Sequence, residues 1–207
     1  MKNTKKIVYK HEPFITIYKE NFKNKHQSRK DFHKIILQDA AMVILENEKN
    51  QILLLDEYRR GIKKKTLGFP GGHIETGEKP LETIKRELLE ETGYLAKNWK
   101  MLFRYTRHGT YNCGQDYVYT AKIDNNSPKS IKNENLKKKW LNKKAILALL
   151  ANNKFETAGI IASVSFYFIK KRYNVGNNTN LNLLASLIQA HIAGAGPGPK
   201  HVQGPGT

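Results

Sequence analysis

Residues 72–94 read GHIETGEKPLETIKRELLEETGY, a glycine-flanked turn running into a helix. Pro80 suits the first helical position, where its missing N–H costs nothing. Gly93 suits the position just past the end, where the chain commonly turns left-handed. Leu81, Ile84 and Leu88 recur at helical spacing and supply the buried stripe. Glu87, Glu90 and Glu91 stand three and four apart and share a neighbouring face. Like charges so spaced cost a helix about 0.2–0.5 kcal/mol per pair. A divalent cation reverses the sign of that cost. Carboxylates without His or Cys suit a hard, oxygen-seeking ion, Mg²⁺ foremost and Mn²⁺ next. Gly71, Gly72 and Gly77 let backbone pass close to a ligand or offer it a carbonyl. The residues by themselves therefore point to a Mg²⁺–phosphate site, the plainer alternative being a solvated acidic face beside an ordinary turn.

The same stretch resembles the Nudix box, G-x5-E-x7-R-E-U-x-E-E-x-G-U with U a bulky apolar residue. Gly72, Glu78, Arg86, Glu87, Leu88, Glu90, Glu91 and Gly93 each fall in place, and Tyr94 fills the last apolar slot with an aromatic. So many fixed positions separate this match from a bare E-x-x-E-E run.

Length and composition bound the rest. The chain has 207 residues, enough for one domain with a sizeable core, or one plus an appendage. No apolar run approaches a membrane span, and MKNTKKIVYKHEPF lacks the apolar region of a secretory signal. Cys113, the single cysteine, cannot form an internal disulfide, so a cytoplasmic location is expected. It reads as a plain free thiol rather than a nucleophile. The net charge of +18 attracts phosphate-rich partners, RNA included. Lys and Asn are spread along the whole chain, though, so the charge reads as a global bias rather than a clustered nucleic-acid footprint.

Residues 1–38 form the N-terminal segment. Residues 1–9 read as loose, and Pro13–Phe22 and Asp31–Gln38 as a strand pair. His26 and His33 lack companions at metal spacing. Ala40–Leu45 and Gln51–Leu55 read as a core β-hairpin, ending in Arg59 and Arg60, guanidinium groups able to grip phosphate. Gly61–Lys65 reads as a basic loop and Thr66–Pro70 as the lead into the glycine turn. Trp99–Thr106 and Asp116–Ile123 read as strands, joined by a loop whose His108 and Tyr111 are candidates to stack on a base or ribose. Residues 125–139 read as a long polar loop. Trp140–Ala151 and Thr157–Lys171 read as helices. Residues 173–193 read as holding a short amphipathic helix, and 194–207 as a Gly/Pro-rich tail, expected to be disordered and foreign in composition to the rest.

The resemblance covers about residues 39–172. It implies an α/β fold, an α/β/α sandwich around a mixed sheet, preceded here by an N-terminal β-hairpin. It also implies a hydrolase of nucleoside diphosphates linked to another moiety. Glu87, Glu90 and Glu91, with the Gly72 carbonyl, would then be Mg²⁺ ligands. Arg86 would be an orienting ion-pair partner and Glu78 an outer helper. The flanks resemble the ADP-ribose pyrophosphatase branch through the N-terminal strands, the strand end Glu57-Tyr58-Arg59 and the final helix pair. That likeness implies a glutamate base in the loop before the last helices, Glu134, with Asp116 and Asp124 behind it. The branch's proline after the box has no counterpart between Pro80 and Pro128. The loop His108–Gln115 is therefore free to hold a different terminal group. Three functions stay open: an ADP-ribose or nucleotide-sugar pyrophosphatase, another Nudix hydrolase acting on dinucleoside polyphosphates, nucleoside triphosphates or RNA 5′ ends, and a non-catalytic nucleotide-binding module. A homodimer through the N-terminal strands is the expected assembly, because an open strand edge invites pairing.

Overall fold

The computed structural model describes residues 5–20, 32–124 and 136–173. The chain divides into two compact units, Met1–Val164 and Ser165–Thr207. Both sheets and every site residue discussed below lie in the first unit.

Continuous apolar runs, buried on both faces, build the centre of the main sheet. Strand β4 (Ala40–Glu46) turns Ala41, Val43 and Leu45 to one face, where helix α1 (Pro80–Thr92) packs Ile84 and Leu88 against them. Met42 faces the other way and meets Ser163 in the first turns of α3 (Ala158–Tyr173). One strand thus explains a sheet covered on both faces. Its neighbours are β5 (Ile52–Arg59) and β9 (Gln115–Ile123), with β8 (Ala96–Thr106) and β10 (Lys137–Leu141) outside them in the order β10-β5-β4-β9-β8. β4 and β9 run parallel while β8 and β9, and β10 and β5, run antiparallel, so the sheet is mixed. β6 (Lys64–Gly68) pairs with β5, and β7 (Gly71–His73) pairs with β4. The remaining helix, α2, spans Lys143–Ala151.

The N-terminal segment departs from the sequence reading. The two expected strands are present as β2 (Ile15–Glu20) and β3 (Phe32–Leu37), paired antiparallel. A third strand, β1 (Lys5–His11), covers residues expected to be loose and pairs with β2. The lysines flanking its short Ile7–Val8–Tyr9 run hid it. The sheet therefore has three strands, and β1 is exposed along its whole length.

Two further corrections follow from tertiary pairing. The glycine turn begins as strand β7, held by Val43 N–H donating to the Pro70 carbonyl (3.0 Å) and Ile74 N–H to the Asp39 carbonyl (2.8 Å). Trp140 lies in β10 rather than in a helix, and the expected loop is strand from Lys137 onward. Two of the three lysines of KKKWL are tied down: Lys138 Nζ donates to the Thr92 carbonyl (2.8 Å) and Lys139 Nζ meets Asp56 (2.6 Å). Asn142 then caps α2 by accepting from Ala145 N–H (2.8 Å), which delays the helix start to Lys143. Residues 125–135, with Glu134, and 174–207, with the expected amphipathic helix and tail, lie outside the described residues, as does His26. No helix among the described residues is long and apolar enough to cross a membrane.

Candidate active site

Local signals set α1 where its carboxylates are needed. Lys79 is extended at the N-cap, and its N–H donates to the Glu82 carboxylate (3.2 Å). Gly93 closes the helix at φ 73°, its N–H bonding the Leu89 carbonyl. Between these ends Arg86 organises the acidic face. It grips both oxygens of Glu78 (3.1 and 3.0 Å) and reaches Glu87 (2.9 Å) and Glu90 (3.2 Å). The fork from Arg86, with a bond from Thr83 Oγ1 (2.7 Å), holds the Glu78 carboxyl down to about 2. The same carboxylates, Glu78 first, push Arg86 further up, so it stays charged.

Glu91 is different. Its carboxylate is tucked against β7, accepting from Gly71 N–H (3.0 Å). Burial pushes its carboxyl up to about 7, with Glu87 and Glu57 adding to the shift against the Gly71 bond and Arg59. Two glycines let β7 lie close against β4 and against Glu87. A Cβ on Gly71 would run into the Ala41 carbonyl oxygen, and one on Gly72 into the Glu87 carboxylate.

Among the described residues no three His, Cys, Asp or Glu side chains form a preformed metal cage, because Glu87 and Glu90 are bonded to Arg86. The donor set nevertheless fits a hard divalent cation. It is all oxygen, and its half-buried member, Glu91, resists ionisation beside other carboxylates, a cost that a cation removes. Glu87, Glu90, Glu91 and the Gly72 carbonyl are the residues able to hold it.

Two clefts meet at β7. One, of about 370 Å³, is lined by Arg59, Phe69, Gly71, Tyr105, Arg107 and Asp116 among others. The second, of about 640 Å³, is lined by Pro13, Phe14, Gln38, Glu75, Thr76 and Glu87. Gly72 and His73 line both. Each is of the size that takes a small ligand.

The structure brings Arg59 to the first cleft, where Glu57 pairs with its Nε (2.8 Å). Arg60 sits in the exposed turn before β6. His108 and Tyr111 stack on each other (4.9 Å between centroids), Tyr111 also stacks on Phe32 (6.4 Å), and neither lines the two clefts. Asp124 lies 3.9 Å from Lys97, away from both. Tyr105 and Arg107 were not singled out from sequence. Their signal was faint: an alternating aromatic and a charge at the end of a strand, facing Asp116 across the hairpin.

Residues 36–163 match the NUDIX domain family, and that match takes in the box, the whole seven-stranded sheet and the start of α3. The chain belongs to the Nudix family. Three curated relatives are similar to it over shorter stretches. A methanol dehydrogenase activator of Bacillus methanolicus is 32% identical over 83 residues, 40% of this chain and 45% of that protein. An ADP-ribose pyrophosphatase of Bacillus subtilis (strain 168) is 35% identical over 71 residues, 34% of this chain and 38% of the relative. An 8-oxo-dGTP diphosphatase of Haemophilus influenzae is 40% identical over 72 residues, 35% and 52% of the two. Each alignment thus spans about half or less of the curated relative. A solved structure described as an ADP compounds hydrolase superposes with a TM-score of 0.69 at 21% identity, covering 84% of this chain and 98% of that one. At that identity the likeness establishes the shared Nudix fold.

Within this Nudix site Arg86 is the hub. Arg86→Met is expected to release Glu78, Glu87 and Glu90 together and to cut kcat by about 10²-fold, the scale for removing a group that orients metal ligands. Steady-state kinetics at saturating Mg²⁺ measures this.

Proposed function

We propose that the chain is a divalent-cation-dependent hydrolase cleaving the pyrophosphate of a nucleoside diphosphate derivative, ADP-ribose to AMP and ribose 5-phosphate foremost, or a nucleotide sugar. The observation that carries it is the half-buried Glu91, held under Gly71 at the wall of the first cleft and beside an acidic face ordered by Arg86. Mg²⁺ or Mn²⁺ bound there would neutralise pyrophosphate oxygens and lower the pKa of the attacking water. The chain's own residues do the rest. Arg86 orders Glu87 and Glu90 before substrate arrives. Arg59 offers its guanidinium to a phosphate in the first cleft. The two clefts offer room for one substituent on either side of β7. Glu134 is the proposed base that takes the water's proton, since the Asp116 carboxylate is already engaged by Tyr105 and Arg107.

A second reading, hydrolysis of a nucleoside triphosphate, is favoured by the similarity to the 8-oxo-dGTP diphosphatase. Dinucleoside polyphosphates and RNA 5′ ends are further substrates of that class, RNA being disfavoured by the dispersed charge. The non-catalytic alternative has no use for all three glutamates. A homodimer through the exposed edge of β1 and a cytoplasmic location complete the reading.

The test is a hydrolysis panel with Mg²⁺, with and without chelator. It would hold ADP-ribose, nucleotide sugars, dinucleotides, nucleoside triphosphates and 5′-triphosphate RNA. AMP and ribose 5-phosphate released from ADP-ribose only in the presence of metal is the expected result. Turnover confined to triphosphates or RNA would keep the metal site and discard the substrate.

A further inference from the structure

Beyond the box, the first cleft carries a second built group of polar side chains. Tyr105 and Asp116 are directly opposed in the β8–β9 ladder, which puts both side chains on one face. The Tyr105 hydroxyl donates to Asp116 Oδ2 (2.6 Å), and Arg107 Nε donates to Oδ1 (2.7 Å). Arg107 is itself anchored, donating from Nη2 to the Gln38 carbonyl (2.7 Å) and from Nη1 to the Cys113 carbonyl (3.3 Å). Gly159 at the start of α3 leaves the room: a Cβ there would collide with the Tyr105 hydroxyl. Asp116 is only 6% exposed, and its exposure is to the cleft.

Counting donors and acceptors defines what this wall can bind. A carboxylate has about four acceptor positions, and Tyr105 and Arg107 take two. Burial, then the bond to Asp116, pushes Tyr105 ionisation well above its ordinary range, so the phenol keeps its proton and commits it to Asp116. Its oxygen can then only accept. Arg107 balances the Asp116 charge without leaving the cluster. Asp116 and Tyr105 therefore offer acceptors, which favours a hydroxyl donor over phosphate against those two residues.

Its position supplies the rest. Ala40 pairs with Asp116 on one side and with His73, next to Gly72, on the other. Two strand spacings, about 10 Å, thus separate the wall from the box end of the cleft. That span suits one phosphate-linked sugar. Met42, Phe69 and Ile160 give the cleft apolar surface for ring carbons.

We propose that Asp116 and Tyr105 determine specificity by accepting hydrogen bonds from the hydroxyl groups of the sugar carried on the far side of the pyrophosphate. This rests on the pyrophosphatase reading above and names the moiety that the site selects.

The test compares kcat/KM for ADP-ribose with that for its analogue lacking the terminal ring hydroxyls. The wild-type protein is expected to prefer ADP-ribose by about 10–100-fold, the scale of one or two hydrogen bonds to a charged group. Asp116→Asn is expected to bring that ratio close to one. Tyr105→Phe keeps the Arg107–Asp116 pair, so it remains a valid probe if the Asn variant does not fold, and it is expected to lower the ratio about 5-fold. ADP-ribose turnover with the same ratio in wild type and Tyr105→Phe overturns the inference alone. An unchanged ratio accompanied by relaxed choice between adenine and hypoxanthine diphosphate sugars means that the cluster reads the base, and also overturns it. Failure of the wild-type protein to hydrolyse ADP-ribose overturns the reading of the site and the inference together.

Discussion

Glu91→Gln is expected to abolish turnover while leaving the fold intact. On the proposed reading Glu91 would ligate the metal, which supplies several kcal/mol of charge stabilisation in the transition state, and about 4 kcal/mol is a factor on the order of 10³ in kcat. Stability should move the other way. Burial raises the Glu91 carboxyl from its ordinary value of 4.5 to about 7. Its contribution to metal-free stability is therefore fully present below pH 4.5 and is lost as pH rises through about 7. Glutamine never ionises and escapes that loss, and its carbonyl oxygen can still accept from Gly71. At pH 8 without metal, the Tm of the variant should equal or exceed that of the wild type; at pH 4 the two should converge. Adding Mg²⁺ should raise Tm for the wild type and not for the variant, because only binding to the folded state stabilises. Full activity in a well-folded Glu91→Gln protein would remove Glu91 from the metal site.

Gly71→Ala should act on stability instead. The added Cβ runs into the Ala41 carbonyl oxygen and lies 2.8 Å from Met42 Cα, both backbone atoms of a strand with covered faces. Neither can rotate away, so β7 must part from β4. We expect a loss of about 3 kcal/mol, a fall in Tm of about 6–12 °C. Gly72→Ala meets a movable Glu87 carboxylate and should keep most of its stability while losing activity. Gly61→Ala, with nothing within 4 Å, should stay within about 0.5 kcal/mol of wild type. Thermal melts of the three variants check the ranking; equal Tm for Gly71→Ala and Gly61→Ala would contradict it.

These two glycines show how far the sequence could be read. Helix α1 was legible from end to end, since Pro80, Gly93 and the Leu81–Ile84–Leu88 stripe are local signals that need no partner. The core strands β4 and β5 were legible from apolar runs. β10 was not, because KKKWL is a strand only once β5 pairs with it and Asp56 and the Thr92 carbonyl accept its lysines. β1 was missed for a similar reason: its exposed, lysine-rich residues gain strand geometry from β2. The acidic face could be read as a metal site, yet not the fact that Arg86 binds two of its three carboxylates. The Tyr105–Arg107–Asp116 cluster depends on a cross-strand register and on the Gln38 carbonyl, 69 residues from Arg107, which no window of sequence contains.

The most direct measurement is hydrolysis of ADP-ribose in ¹⁸O-labelled water with Mg²⁺, reading each product by mass. Water attack on a pyrophosphate phosphorus requires one ¹⁸O in the phosphate of either AMP or ribose 5-phosphate, and no turnover once the metal is chelated. Unlabelled phosphates in both products, or label incorporated at the same rate with chelator present, would contradict metal-dependent attack at phosphorus.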